Sequence, residues 1–269
     1  MNYEFASPGP VNADIRIASG MVNVDAGEHS TITVSVEPFD NSAASREAAE
    51  QTRVHLEGKN LIVHTPHGKG WALFKWPKLR ITARVPAEST LTVKAASADV
   101  TCTGVYKDVV AHAASGDLAV DRVVKDASVT SASGDVKIGW VGGDLRMNSA
   151  SGDVTAKHVG KDVDAHSASG DIEIERADGD VRAKTASGDV TVGMAHKGEV
   201  RVHTASGDVT VGVAAGTGVW LDINTASGRT NSDLSMGDGS VPPTGAALTI
   251  KARTASGDIT LRRVAAANA

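Results

Sequence analysis

Apolar and polar residues alternate at a fixed spacing through the middle of the chain. From Asp99 to Asp189 an aspartate recurs every nine residues. The residue after each aspartate and the residue two positions further on are mostly apolar, and a mostly polar residue lies between them, as in Val154, Thr155 and Ala156. Alternation with a period of two is typical of a β-strand with one buried face. The pattern therefore predicts a short strand in every nine-residue segment.

Glycine-containing turns separate the predicted strands. Every second aspartate closes an Ala-Ser-Gly-Asp motif, such as Ala168-Ser169-Gly170-Asp171, so the full repeat is eighteen residues. The Ser-Gly-Asp and Gly-Gly-Asp segments supply turn residues, and we expect the alanine of each motif to occupy a narrow interior corner. A lone two-strand unit cannot bury its apolar side, so successive units must stack as parallel, in-register coils about 4.8 Å apart.

The repeat predicts an all-β fold, a single-stranded β-solenoid (β-helix) of about nine 18-residue coils with an irregular β-rich N-terminal cap. A chain of β-hairpins or propeller blades is the alternative, but propeller blades need roughly 40 residues or more. We expect residues 1–95 to form the capping segment, with one short helix. Residues 96–269 then form the solenoid repeat region, with an extruded loop at 231–245 and a C-terminal capping coil.

Local signals define several elements of the capping segment. The stretch from Ser42 to Gln51 is alanine-rich and predicts the one helix. The segments 53–57 and 60–65 predict a hairpin around Gly58. Residues 14–18 and 21–24 alternate like two strands about a turn.

The strict repeat ends after Asp189. One residue is added before Glu199, and arginine replaces the motif's aspartate at Arg229. The last repeat is followed by Arg262 and Arg263, which we expect to blunt the final exposed edge of the solenoid.

Composition agrees with thin, turn-rich coils, because only 3% of the residues are aromatic and 28 are glycine. Two of the tryptophans, Trp71 and Trp76, belong to a loop that we interpret either as core of the cap or as an exposed binding surface. Cys102 is the only cysteine, so no intramolecular disulfide can form. It occupies an apolar position, and we expect it to be buried and inert.

The chain shows no targeting signal. The first thirty residues contain no positively charged start followed by an apolar run, and no apolar run approaches the roughly 18 residues of a membrane helix. We therefore expect no signal peptide, no transmembrane segment and a cytoplasmic location.

Serial Thr/Ser-Ala-Ser-Gly-Asp-Val/Ile units, such as those at 185–190 and 204–209, resemble the bacterial β-strand-repeat family labelled as putative adhesins, a domain family of unknown function. The lead-in at 50–54 and the strand ending at Val85-Pro86 are similar to its actinobacterial members. The resemblance covers nearly the whole chain and implies a single-stranded β-solenoid. It implies no catalytic residues.

The aspartate column is the strongest candidate for chemistry. Carboxylates stacked about 4.8 Å apart repel by about 1 kcal/mol in water, and either backbone N–H groups at the turns or calcium could offset this. The calcium-binding β-roll repeats Gly-Gly-x-Gly-x-Asp, and the glycines here do not follow that pattern. We therefore predict no metal site. The alternative is a divalent-cation site with oxygen ligands, formed by Asp117, Asp135, Asp153, Asp171 and Asp189.

Nothing in the chain predicts catalysis or nucleic-acid binding. It has no glycine-rich phosphate loop and no nucleophile elbow, and its nine histidines are scattered, with His112 and His166 at outward positions. A formal net charge of -5 and the lack of a basic run argue against nucleic acid. An enzyme built on a β-helix is the third hypothesis, and no site supports it.

We therefore predict a non-enzymatic structural or adhesion-type scaffold with no catalytic residue and no cofactor. It would present a repetitive polar β-face to a protein partner or to copies of itself, as a homo-oligomer. A calcium-binding solenoid that uses the aspartate column is the alternative.

Overall fold

Short parallel strands joined by tight turns build most of this chain, as the repeat predicts. The computed structural model describes residues 1–7, 9–66, 77–234 and 247–265. Its strands stack coil on coil, in parallel and in register, which confirms the predicted all-β solenoid. The tryptophan loop with Trp71 and Trp76, and residues 235–245 of the predicted extruded loop, lie outside the described residues.

The chain divides into two units, Met1–Ile138 and Gly139–Ala269. The predicted division into a cap of residues 1–95 and a repeat region of residues 96–269 stays a prediction. Among the described residues, no helix has the length and apolar character needed to cross a membrane.

The elements of the first unit follow in chain order. They are β1 (Asn2–Ala6), β2 (Asn12–Gly27), β3 (Thr31–Pro38), α1 (Ala43–Gln51), β4 (Arg53–Glu57), β5 (Asn60–His64), β6 (Leu79–Pro86), β7 (Ser89–Ser115), β8 (Leu118–Val123) and β9 (Ala127–Ser133). Strand β10 (Val136–Val141) spans the division between the units.

Helix α1 forms where the sequence predicts it because its first turn is capped. The Ser42 hydroxyl accepts the backbone N–H of Ser45 at 3.1 Å, which satisfies one of the N–H groups that a helix start leaves unpaired. Ala48 and Ala49 form its buried face. The predicted hairpin is also present, since β4 pairs with β5 in antiparallel orientation.

Strand β2 lies between two coils that follow it in sequence. It runs parallel to β7 on one side and to β5 and β6 on the other, so that Asn12 is opposite both Thr90 and Asn60. The predicted turn within this segment is instead a bend in one continuous strand, at Gly20 with a φ of 125°. Strands β3 and β1 continue from β6 in antiparallel orientation.

The second unit contains the most regular coils. Its strands are β11 (Leu145–Ser151), β12 (Val154–Val159), β13 (Val163–Ser169), β14 (Ile172–Ala177), β15 (Val181–Ser187), β16 (Val190–Ala195), β17 (Gly198–Ser206), β18 (Val209–Ala214), β19 (Val219–Ser227), β20 (Thr230–Ser232), β21 (Leu248–Ser256) and β22 (Ile259–Val264). One row of parallel strands runs β11, β13, β15, β17, β21, β19. The other runs β12, β14, β16, β18, β22, β20.

The last repeat in sequence is not the last coil in space. Strands β21 and β22 insert between the coil of β17 and β18 and the coil of β19 and β20. The expectation that Arg262 and Arg263 blunt the final edge is therefore wrong. The guanidinium of Arg263 instead donates to the carbonyl oxygens of Ala214 (3.2 Å) and Thr217 (2.8 Å), which ties the inserted strand to the turn after β18.

Inward side chains form apolar columns along the stack. Val154, Ile172 and Val190 lie opposite one another on β12, β14 and β16, and each is at most 1% exposed. Glu173, the next residue after Ile172, is exposed. The predicted strand register is therefore confirmed for these coils.

The alanines of the Ala-Ser-Gly-Asp motifs are exposed, so their predicted place in an interior corner is wrong. In most of these motifs the buried residue is the serine or threonine before the alanine, at Ser131, Ser149, Ser167, Thr185, Thr204 and Thr254. Some of these hydroxyls bond to a turn carbonyl, as Ser149 Oγ does when it donates to the Gly152 oxygen at 3.3 Å. The hydroxyls of Ser167 and Thr185 are buried without a hydrogen-bond partner among the described residues.

Candidate functional site

The aspartates of the repeat form ladders of hydrogen bonds between coils. Asp153 Oδ1 accepts the backbone N–H of Asp171 at 3.0 Å, and Asp171 Oδ1 accepts that of Asp189 at 2.8 Å. The same bond links further pairs: Asp99 to Asp117, Asp117 to Asp135, Asp189 to Asp208, and Asp208 to Asp258. Each of these carboxylates therefore satisfies a turn N–H of the next coil, which explains why the repeat keeps a hydrogen-bond acceptor there.

The ladder also explains the motif that lacks its aspartate. Asp258 Oδ1 accepts the N–H of Arg229 at 2.7 Å, and Arg229 belongs to the outermost coil of β19 and β20. No further coil follows it among the described residues, so no turn N–H requires a carboxylate at this position. Arginine can replace aspartate there without loss of a bond.

A second ladder runs through the other turns. Asp162 Oδ1 accepts the N–H of Asp180 at 2.9 Å, and Asp180 Oδ1 accepts that of Glu199 at 2.9 Å. The residue inserted before Glu199 therefore leaves this ladder intact.

The cation-binding alternative uses five aspartates of the column as metal ligands. Of these, Asp117, Asp153, Asp171 and Asp189 each have one carboxylate oxygen bonded to a backbone N–H of the next coil, and Asp135 donates its own N–H to Asp117. Within the described part of the chain, no three His, Cys, Asp or Glu side chains are grouped in a way that could hold a metal ion. The arrangement of the carboxylates is that of a structural ladder.

If the ladder stabilises the coils, Asp171→Ala should lower the free energy of unfolding by about 1 kcal/mol, because a charge-assisted but exposed hydrogen bond is lost. Asp171→Asn keeps an acceptor oxygen and removes one of the stacked negative charges, so it should be neutral or slightly stabilising. Urea unfolding of both variants measures this difference. Equal destabilisation by alanine and asparagine would show that the charge, rather than the acceptor, holds the turn.

Calcium chelation provides a separate test of the same carboxylates. A metal bound only to the folded state would raise its melting temperature, whereas a ladder held by backbone N–H groups needs no metal. We expect the melting temperature to be the same in EDTA and in millimolar calcium. A drop of many degrees in EDTA would favour the cation-binding alternative.

The single cysteine does not provide a nucleophile. Cys102 is 1% exposed, and burial raises the pKa of its thiol to about 12. The thiolate, which is the reactive form, is therefore scarcely populated near neutral pH. This agrees with its predicted role as an inert core residue.

Six histidines of the described residues lie within ion-pair distance of a carboxylate: His29, His55, His64, His158, His166 and His196. Two of the carboxylates involved, Asp14 in the first unit and Asp178 in the second, also bond closely to an arginine. In the second unit His158 Nε2 lies 3.0 Å from Asp178 Oδ2, and Arg176 donates to Asp178 Oδ1 at 2.9 Å. Burial raises the pKa of Asp178, but the hydrogen bonds and charges of His158 and Arg176 outweigh it and leave the pKa below its ordinary value. In the first unit His64 Nε2 lies 3.2 Å from Asp14 Oδ2.

Neither pair is arranged for nucleophilic catalysis. Triad chemistry needs a hydroxyl or thiol within hydrogen-bond reach of the histidine, and none is bonded to His64 or His158 in the described ranges. His64 lines a cavity of about 570 Å³ with Arg16, Gln51, Arg53, Thr65 and Pro66. Arg16 is already paired with Asp14 at 2.8 Å, so we assign this cavity no catalytic role.

The most distinctive surface of the second unit is a cluster of cations on the outward side of β15, β17 and β21. We call it the basic face, and it consists of Arg182, Lys184, Arg201, His203, Lys251 and Arg253. Arg182, Arg201 and Lys251 are opposite one another in register, and so are Lys184, His203 and Arg253. The solenoid therefore places basic residues in two parallel columns.

Sequence reasoning missed this face because its members are far apart in the chain. In each column the first two members lie 19 residues apart, and the second and third lie 50 residues apart. A search for basic runs cannot detect such a pattern, and the formal net charge of -5 conceals it. A comparison of the outward positions in every second strand would have shown two of the three pairs of basic residues, Arg182 with Lys184 and Arg201 with His203.

Comparison with known proteins yields a family and a fold. The family model described as Toastrack DUF4097 matches residues 12–262. A solved structure described as a putative lipid binding protein, from Parabacteroides distasonis ATCC 8503, has a TM-score of 0.50 at 10% identity and covers 98% of this chain and 96% of that one. At this identity the likeness concerns the fold alone. No curated protein matches the chain.

Two further solved structures, both described as putative adhesins, are also similar. The one from Bacteroides fragilis NCTC 9343 is 14% identical with a TM-score of 0.43, and the one from Parabacteroides distasonis ATCC 8503 is 11% identical with a TM-score of 0.40. Each match covers 98% of this chain and 96% of the other.

Proposed function

The chain belongs to the Toastrack DUF4097 family, and we propose that it is a non-enzymatic, adhesion-type scaffold that presents repetitive polar β-faces to a partner. The observation that carries this proposal is that each coil uses one set of residues to hold its structure and leaves another set on its surface. Inward residues and ladder aspartates maintain the coil, while outward strand positions vary from coil to coil. Residues that the fold does not constrain are the ones free to serve binding.

The chemistry of the described side chains also favours binding over catalysis. The thiol of Cys102 is buried and protonated, and the histidine–carboxylate pairs lack a nucleophile. Function has to be argued from a site rather than from a fold. The remaining feature with functional character is a surface of ordered, outward polar columns.

The sequence predicts a protein partner or a second copy of the chain for these columns. Parallel strands hold outward side chains about 4.8 Å apart from coil to coil, so a partner that crosses several coils meets a regular array. Such a surface gives many small contacts at once, which is how a repeat protein attains affinity from an extended face.

Binding to cell material tests the proposal. The purified full-length protein is incubated with washed envelopes of the cells that produce it, and the bound fraction is measured by sedimentation across a concentration series. We expect saturable binding. Protease treatment of the envelopes, and sedimentation velocity of the protein alone, distinguish a protein partner from self-association.

The proposal would be overturned by a bound fraction that rises linearly without saturation, combined with a monomer that does not self-associate at any concentration. Bovine serum albumin at equal concentration serves as the control for trapping in the pellet.

A further inference from the structure

Three of the six members of the basic face are held in place by carboxylates at its margin. Glu199 pairs with Arg201 at 2.5 Å and with Lys251 at 2.7 Å, and Asp222 pairs with Arg253 at 3.3 Å. These ion pairs restrain three long side chains that would otherwise lose rotamer freedom on binding. The margin therefore orients the cations of the face.

The edge strand of the face, β15, has no such ion pair, although Asp164 of β13 lies opposite Arg182 in register. Arg182 and Lys184 are both exposed and have no ion pair or hydrogen bond with any residue that the structure describes. They lie on β15, one coil before Arg201 and His203. Two cations without an ion pair thus adjoin a row of cations that are already oriented.

His203 lies among several cations of the same face. Its pKa is lowered from its ordinary value, first by burial and then by the charges of Arg253, Lys184 and Arg201. Repulsion among like charges is expected when several cations converge without enough anions to balance them. A negatively charged ligand would reduce this repulsion.

An aromatic ring lies at one end of this array. Trp220 on β19 is half-buried, and the ammonium of Lys251 lies 5.9 Å from the centre of its ring. In register, β19 is the neighbour of β21, so Trp220 continues the outward side of the same row of strands. The array thus combines cations in columns with one ring at its edge.

We propose that the basic face binds a linear anionic polysaccharide, laid across the strands so that successive acidic groups meet successive coils. The inference rests on the proposed function, because it names a partner class for one of the outward faces. Guanidinium and ammonium groups pair with carboxylate or sulfate groups. The ring of Trp220 covers the apolar C–H face of a sugar at one end.

Other polyanions match the face less well. Binding of single-stranded nucleic acid relies on several aromatic side chains that stack successive bases, and the face has one aromatic, at its margin. Attachment to a membrane surface adds buried apolar side chains to the cations, and the outward positions of β15, β17 and β21 include no large apolar residue. An extended, charged sugar chain requires only rows of cations and a ring at one end, and this face has both.

Binding of polygalacturonate to the full-length protein tests the inference, with dextran as the neutral control. We expect binding by isothermal titration calorimetry at low salt, with affinity that falls about tenfold or more between about 50 and 200 mM NaCl as counterions are released. Lys184→Glu should weaken binding about tenfold. Lys157→Glu, which reverses an exposed lysine in β12 of the other row, should change affinity less than twofold.

A second readout locates the ligand. The pKa of His203, followed by NMR, should rise when polygalacturonate neutralises Lys184 and Arg253 around it. Unchanged melting temperatures of both lysine variants would establish that they fold. Absence of binding, equal losses in the two variants, or an unmoved His203 pKa would overturn the inference.

Competing ligands are measured with the same variants. An oligothymidine or vesicles containing phosphatidylglycerol that bind more tightly than polygalacturonate, and lose affinity in Lys184→Glu, would overturn the polysaccharide in favour of nucleic acid or membrane. Saturable envelope binding that persists in Lys184→Glu, without polygalacturonate binding, would leave the proposed function standing and refute this inference alone. Polygalacturonate binding without envelope binding would support this inference and refute the proposed function.

Discussion

Ile172→Asp is expected to prevent stable folding. Ile172 is 0% exposed and lies between Val154 and Val190 in the apolar column of the second unit. The substitution removes a buried aliphatic side chain, at about 2–5 kcal/mol, and places an unpaired carboxylate in the interior, at several kcal/mol more. Since domains are stable by only about 5–15 kcal/mol, circular dichroism and a soluble-expression assay should show an unfolded or aggregated chain.

Two control variants separate charge from volume and from position. Ile172→Val should cost about 0.5–1.5 kcal/mol, because only one methylene is lost. Glu173→Ala changes the adjacent, exposed residue and should stay within about 0.5 kcal/mol of the parent. If Glu173→Ala were as damaging as Ile172→Asp, the strand register would be wrong.

Gly170→Ala is expected to destabilise its turn strongly. Gly170 has a φ of 142°, a conformation that L-residues adopt only with strain. An added Cβ would lie 2.3 Å from the carbonyl oxygen of Gly152 in the preceding coil, a backbone atom that cannot rotate away. Strain and overpacking each cost about 1–3 kcal/mol, so thermal unfolding should shift down by about 10 °C.

Gly218→Ala is the matched control for this change. It makes the same substitution in the same unit, but no atom lies within 4 Å of the added Cβ. We expect its melting temperature to stay within about 2 °C of the parent value. A similar loss in both variants would contradict the close approach of the coils as the cause, because Gly→Ala acting through the unfolded chain raises stability.

The repeat predicted the solenoid because strand alternation and turn glycines agree over many units. It predicted helix α1 for a different reason, since the alanine-rich stretch is preceded by the capping Ser42. Both signals are local and depend on neighbouring residues. Local signals also placed Ile172 inside and Glu173 outside, as the structure has them.

The order of the coils could not be predicted in the same way. Nearly identical Ser-Gly-Asp turns can pair with any neighbour, so nothing in the repeat distinguishes a coil that follows in sequence from one that inserts later. The structure resolves this by Asp208 accepting the N–H of Asp258, 50 residues away, and by Asp258 accepting that of Arg229. Strand β2 inserts between later coils at the start of the chain as well.

The outward site needed the three-dimensional register. Lys184, His203 and Arg253 form a column only after β21 has inserted beside β17, so sequence order alone would place Arg253 on the wrong coil. The exposed alanines show a further limit, because a small residue in a turn motif does not reveal which side of the turn it occupies. Burial of Thr185, directly before Ala186, depends on the path of the whole coil.

The central claim is that the inward residues and the ladder aspartates stabilise the coils, whereas the columns of outward side chains bind the ligand. The most direct test is the rise in melting temperature that saturating polygalacturonate causes, compared for the parent, Asp171→Ala and Lys184→Glu. We predict that Asp171→Ala melts lower without ligand but keeps the full rise, whereas Lys184→Glu melts like the parent and shows a clearly smaller rise. The account would be contradicted if Asp171→Ala lost the rise while Lys184→Glu kept it. It would also be contradicted if both variants melted lower without ligand and lost the rise.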